Sequence, residues 1–178
     1  MPRALRAIKP SANADGPGME TGNRNTLQAR AYGVLSRELM IGRYKPGQAL
    51  SLRPLAASLG TSPMPVREAV SRLIAERALV LLPNRTVIVP TMTRARFGQL
   101  FRVRQLLEGE AAELACARVT PELLNKLSRI NLSIKHCLSK QQVPRALIHN
   151  RDFHLSMYNA AGADVLIPLI DMLWRQAG

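Results

Sequence analysis

Aromatic side chains make up only 4% of the 178 residues, which leaves few stacking platforms for single-stranded nucleic acid. Acidic residues are also in short supply. Twelve Asp and Glu stand against 25 Lys and Arg, a net charge of +13, and an imbalance of that size points to a polyanionic partner, either nucleic acid or an anionic membrane surface. The two cysteines, Cys116 and Cys137, have no partner motif around them. They suit idle thiols in a reducing cytoplasm rather than a disulfide or a thiolate metal site. The N-terminus lacks the apolar segment of a secretory signal. The longest apolar run, "VLIPLIDMLW" at 165–174, is short and interrupted by Pro168 and Asp171, so it does not read as a membrane span.

The base is unevenly spread: residues 1–92 carry a net +8 and residues 93–178 a net +5. Residues 1–25 mix Pro, Gly and Asn without periodicity and read as a disordered arm. From there to residue 91 the chain reads as one small domain. Thr26 caps a helix whose apolar stripe ends at Gly42, Pro46-Gly47 fixes a turn in "YKPGQAL", and Ser51 opens a short helix stopped by Gly60. A third helix places Val66, Ala69, Val70, Leu73 and Ile74 at helical spacing. "ALVLL" and "TVIVP", separated by "PNR", then give a hairpin. Three short helices and a hairpin predict a winged helix-turn-helix. Residues 92–178 are predicted to be all helical, with helices opening at Thr93, at Thr120-Pro121 and at Val143, and a last one at 165–174 started or kinked by Pro168. The fold class is therefore mainly α.

The stretch "TSPMPVREAV" at 61–70 sets two prolines ahead of a helix. With Ser62 as N-cap, Pro63 falls at the first helical position and Pro65 at the third, where a missing N–H costs no intrahelical bond and a fixed φ stiffens the start. The free N–H groups and the helix dipole there favour an anion. Arg67 leaves the face opposite the apolar stripe, alongside Ser62, Met64 and Ser71. A long cationic fork at that place can reach guanine edges or phosphate in a major groove. Glu68 and Arg72 are spaced for an i, i+4 ion pair.

These residues carry a resemblance. The run "IGRYKPGQALSLRPLAASLGTSPMPVREAVSRLIAERALVLLPNRTVIVP" resembles the winged helix-turn-helix of the GntR family of bacterial transcription regulators, with about 50 residues in order and spacing intact. Further along the chain, "LFRVRQLLEGEAAELACARVT" and "NRDFHLSMYNAAG" resemble the FCD-type effector domain of that family. The resemblance implies DNA contacts at Arg53, Ser62 and Arg67 and at a wing tip of Asn84, Arg85 and Thr86. Two departures stand out. Pro63 occupies a position where the family usually has arginine, and the wing has no glycine, so Asn84 is expected to take the tight turn.

An FCD-type domain implies an antiparallel helical bundle that binds a small organic acid, often through a divalent metal (Zn, Ni or Mn type) held by Asp-x3-His and two later histidines. Here the first pair is Asn150 and His154, and the later ligands would fall beyond Gly178, so the site is expected to be incomplete and the bundle shortened. Arg104, at the family's arginine position, and Arg102 are the candidate carboxylate clamps, against an Arg104–Glu108 pair within one helix. Apolar faces around Leu169, Ile170, Leu173 and Trp174 would then need a cover, for which a homodimer on a pseudo-palindromic operator is the natural one. The leading expectation is a cytoplasmic, non-enzymatic regulator that binds double-stranded operator DNA under the control of a small carboxylate. The alternatives are a constitutive DNA-binding dimer that senses nothing, and a catalytic helical metalloprotein centred on Asn150 and His154. The latter lacks a general-base constellation and a phosphate loop.

Overall fold

The structure, a computed structural model, describes residues 18–177, with side chains from 26 to 176. Helix α1 (Gly18–Met40) begins upstream of Thr26, inside the stretch expected to be an arm, and the rest of that stretch lies outside the described residues. The chain leaves α1 through Gly42 at φ 68°, a left-handed conformation that costs a residue with a Cβ far more than glycine. Strand β1 (Ala49–Leu50), helices α2 (Leu52–Ser58) and α3 (Pro63–Ala75), and strands β2 (Val80–Leu81) and β3 (Val87–Ile88) complete the N-terminal unit. The strands form one antiparallel sheet in the order β1-β3-β2, with Ala49 and Val80 both opposite Ile88. Strand β1 is hidden in "YKPGQAL", a stretch whose sequence signals only a turn, because two residues are too few to show a period of two. Leu35, Val66, Leu73 and Leu79 are fully buried between α1, α3 and the hairpin. Each contributes about 1.5–3 kcal/mol by leaving water.

The C-terminal unit is α4 (Arg94–Cys116), α5 (Pro121–Ser139), α6 (Val143–Asn159) and α7 (Leu166–Ala177). The Thr93 hydroxyl accepts from the backbone N–H of Arg96 and that of Thr120 from Leu123, each at 3.2 Å, so both threonines cap as their spacing predicts. Helix α5 packs along α6, while α4 meets both α6 and α7. Pro168 is the third residue of α7, where proline is tolerated. Of the residues expected to need a partner, Ile170 and Leu173 are buried by the chain itself, and Trp174 packs with Ala111, Tyr158 and Ile170. That expectation is corrected: α4 and α6 fold over this face, leaving Leu169 exposed. Cys137 is buried and Cys116 exposed, both as free thiols.

A polar cluster joins the two units. Arg175 of α7, only 7% exposed, donates from Nε to Glu76 Oε2 at 3.0 Å and from Nη1 to Asp171. Glu76 is the C-cap of α3 and also accepts from the Tyr32 hydroxyl of α1, at 2.7 Å, and from Arg72 Nε at 2.9 Å. Arg72 thus pairs with Glu76, four residues on, and not with Glu68 as the spacing allowed; its guanidinium also lies 3.9 Å over the Tyr32 ring. Burial alone would raise the Glu76 pKa, but the hydrogen bonds from Tyr32 and Arg72 and the charge of Arg175 outweigh it and hold the carboxyl below its ordinary value.

Candidate nucleic-acid interface

Ser62 sits at φ −72°, ψ 161°, an extended conformation that its place before proline enforces. The chain therefore turns sharply into α3 at Pro63. The Ser62 side chain makes no capping bond, so the prolines set the helix start without help from the hydroxyl expected to cap it. The two prolines divide the work: Pro65 is buried in the core, whereas Pro63 is exposed and lines a surface cleft. On the outer face of α3, Met64 is 56% exposed and Ser62, Arg67 and Ser71 are also exposed.

The hairpin tip is a three-residue loop. Arg85 N–H donates to Leu82 O at 2.9 Å, Leu82 N–H to Thr86 O at 2.9 Å, and Thr86 N–H to Asn84 Oδ1 at 3.1 Å. Pro83 and Asn84 occupy the centre of the turn, which suits proline's fixed φ and asparagine's habit of bonding the backbone two residues on. The left-handed position belongs to Arg85, at φ 63°, and not to Asn84 as the sequence suggested. A three-residue hairpin loop puts the left-handed residue last, after the turn pair, so the glycine that is missing from the wing is missing at Arg85. Holding an arginine there costs about 1–2 kcal/mol, and strain of this kind collects where a side chain is needed for function.

A single cleft of about 860 Å³ gathers Arg53 from α2, Pro63 and Arg67 from α3, and Arg85 and Thr86 from the wing. Three arginines from three separate elements thus surround one concave surface at the start of α3. Ser62, Met64, Ser71 and Asn84 do not line it; the first three stand on the exposed outer face of α3 and Asn84 at the wing tip. Ser51 and Leu52, at the start of α2, also line the cleft. Nothing in their residue types marked them as site residues.

The candidate effector residues are scattered. Arg104 Nε donates to Glu108 Oε1 at 2.7 Å, and the guanidinium lies 4.6 Å over the Trp174 ring, so Arg104 is committed within the bundle, not a free clamp. Arg102 is exposed on another face of α4. The ring of His154 contacts Phe153, Tyr158 and Trp174, with Nδ1 3.1 Å from the Tyr158 hydroxyl. Its burial pushes its pKa below the ordinary value. Asn150 instead lines a cavity against α1. One imidazole and one neutral amide are a poor donor set for a divalent ion, and no group of three or more His, Cys, Asp or Glu that could hold a metal occurs among the described residues. These residues do not fit the metal site of the resemblance.

A winged helix-turn-helix with an arginine-lined recognition helix, followed by a helical bundle, defines a DNA-binding transcriptional regulator. Residues 27–89 match the bacterial regulatory proteins of the gntR family, and residues 99–178 match the FCD domain. Among curated proteins, the HTH-type transcriptional regulator McbR of Escherichia coli K12 is 31% identical over 91% of this chain and 73% of its own length. The solved structure of E. coli McbR/YncC superposes with a TM-score of 0.82 at 32% identity, over 85% of this chain and 72% of that one. A GntR-type structure from Rhodococcus sp. RHA1 shares the fold, with a TM-score of 0.68 at 21% identity, over 85% of this chain and 72% of that chain. The chain belongs to the GntR family of transcriptional regulators, in the group that carries an FCD domain. No helix among the described residues is long and apolar enough to cross a membrane.

Proposed function

We propose that this regulator binds its operator through the cleft around the start of α3, as a dimer, and that a small organic acid adjusts that binding without any catalytic step. One observation carries the reading: Arg53, Arg67 and Arg85 meet on one concave surface. Arg67 projects from α3 to read base edges, while Arg53 and Arg85 flank it and grip phosphate. Pro63, where relatives keep arginine, adds no charge, so the operator read here is this chain's own. Dimerisation is supported by apolar side chains left on the surface of α4. Phe97 and Phe101 stack with centroids 6.1 Å apart and are about half exposed, and Leu106 is 74% exposed. Two copies would set half-sites about one helical turn, roughly 34 Å, apart.

Titration of the full chain against its own upstream DNA at several salt concentrations tests the reading. The expected result is a specific shifted complex whose affinity falls steeply and linearly on a log–log salt plot. Equal affinity for the upstream fragment and for unrelated DNA would overturn it.

A further inference from the structure

We propose that the cavity at the seam between α1, α6 and α7 is a binding site for a small carboxylate with an apolar body, and that its occupation is felt at the recognition helix. The proposal rests on the effector-controlled reading above and gives it a place different from Arg104 and Arg102. The cavity holds about 270 Å³ and draws its walls from both units: Arg37 and Met40 from α1, and Ile148, Asn150, Arg151 and Trp174 from α6 and α7. Apolar walls with a few convergent polar groups are the usual make-up of a small-molecule site. One carboxylate lines the cavity, Asp152, which is half exposed and 3.9 Å from Arg151; the other partner of Arg151, Asp171, lies outside its lining.

One polar group here is buried without a partner, while Arg37 stands exposed at the mouth of the cavity. Among the described residues, no side-chain hydrogen bond engages Arg37 or Asn150, and Arg151 Nε is buried with no acceptor. A buried donor left unmet is costly, and an anionic oxygen is the acceptor that would satisfy it best. Asn150 offers an amide N–H to the same group. The carboxylate end of a ligand therefore belongs among Arg37, Asn150 and Arg151, and its apolar body belongs against Met40, Ile148 and the Trp174 indole.

Arg151 connects this cavity to the DNA-binding unit. Its Nη2 is 2.8 Å from Asp171 Oδ1; Asp171 also accepts from Arg175, and Arg175 donates to Glu76 at the C-cap of α3. A ligand oxygen on Arg151 Nε shares the guanidinium charge with Asp171 on Nη2, loosens the hold of Arg151 on Asp171, and so alters how Asp171 ties Arg175 and how Arg175 ties Glu76. Direct contact with Arg37 and Met40 of α1, which packs along α3, adds a second route. A ligand in this seam thus distinguishes arrangements of the two units, which is the requirement for shifting DNA affinity.

Trp174 is the chain's single tryptophan, so its fluorescence reports on the cavity directly. The full chain is titrated with hexanoate and benzoate, with hexanol and benzyl alcohol as uncharged counterparts, and operator affinity is measured by anisotropy in the same samples. Saturable changes are expected with the carboxylates and not with the alcohols. Arg37→Ala should weaken them by at least about tenfold, in line with the loss of a charge-assisted hydrogen bond, Asn150→Leu should weaken them several-fold, and Arg102→Ala should leave them unchanged. A unit-to-unit effect requires operator affinity to change at ligand concentrations that saturate the wild type, and to change in Arg37→Ala only at concentrations at least about tenfold higher. No saturable change with either carboxylate, or the same change in Arg37→Ala, overturns the site even if operator binding is intact. Saturable binding with unaltered operator affinity overturns the coupling and leaves the site standing.

Discussion

Replacing Arg175 by methionine probes the joint between the two units, because methionine keeps the length of the side chain and removes its charge. Breaking a buried ion pair by deleting one partner can cost about 3–5 kcal/mol. Here the orphaned carboxylates are not abandoned: Glu76 keeps the Tyr32 hydroxyl and Arg72, and Asp171 keeps Arg151 at 2.8 Å. The expected loss is therefore about 2 kcal/mol, the contribution of a hydrogen bond to a charged group. For a chain of this size that lowers Tm by about 4–8 °C, read by circular dichroism at 222 nm. Arg43 supplies the contrast. Its guanidinium is 66% exposed and 3.5 Å from Glu38, so Arg43→Ala should move Tm by no more than about 1 °C. A double-mutant cycle of Arg175→Met with Glu76→Gln should give a coupling of about 1 kcal/mol. An Arg175→Met variant that melts like Arg43→Ala, or two changes that simply add, would contradict a buried joint at Arg175.

The same contacts give three further expected outcomes. Glycine at position 85 relieves a left-handed arginine, so Arg85→Gly should raise stability by about 1 kcal/mol in a denaturant titration while weakening operator binding and reducing the salt slope by about one unit; a destabilised variant would show that the wing turn is misread. Gly162, at φ 63°, has the Arg118 guanidinium where a Cβ would go, so Gly162→Ala should lower stability by at least about 1–2 kcal/mol, and an unchanged melting curve would contradict that packing. Stability should also fall on acidification in two stages. His154 has a folded pKa below its unfolded value of about 6.5, so its contribution is complete above that pH and shrinks beneath it. Glu76 and Glu108 are likewise held below their unfolded value of about 4.3, so theirs is present above that pH and lost as pH falls through their lower folded values. His154→Gln should erase the first stage and spare the second in Tm measured from pH 8 to 3, and a single transition in both proteins would count against it.

Much of the fold could be read from spacing because several helix starts are marked by a residue with one strong local preference. Thr93 and Thr120 cap through their own hydroxyls, and Pro63 and Pro121 sit where their fixed φ helps. Local preference failed where a residue's partner lies far along the chain. Arg72 could pair with Glu68 or Glu76, and only Tyr32 and Arg175, 44 and 99 residues from Glu76, decide for Glu76. Arg104 reads as a clamp until Trp174, 66 residues from Glu108, closes the Glu108 cluster around it. The exposure of Arg67 was legible, since it lies opposite the apolar stripe of α3, whereas Arg53 and Arg85 were singled out by the family resemblance. The convergence of the three on one cleft was not legible, because it depends on the left-handed turn at Arg85 and on a two-residue strand, β1.

The arginine on the exposed face of α3 is the most direct test of operator recognition through this cleft. Anisotropy titrations of wild type and Arg67→Ala against an operator duplex and a scrambled duplex of the same composition separate base reading from charge. Loss of a bidentate base contact is expected to weaken operator binding by about 10- to 100-fold, with little change on the scrambled duplex. An operator-to-scrambled ratio that is the same in Arg67→Ala as in the wild type would contradict it.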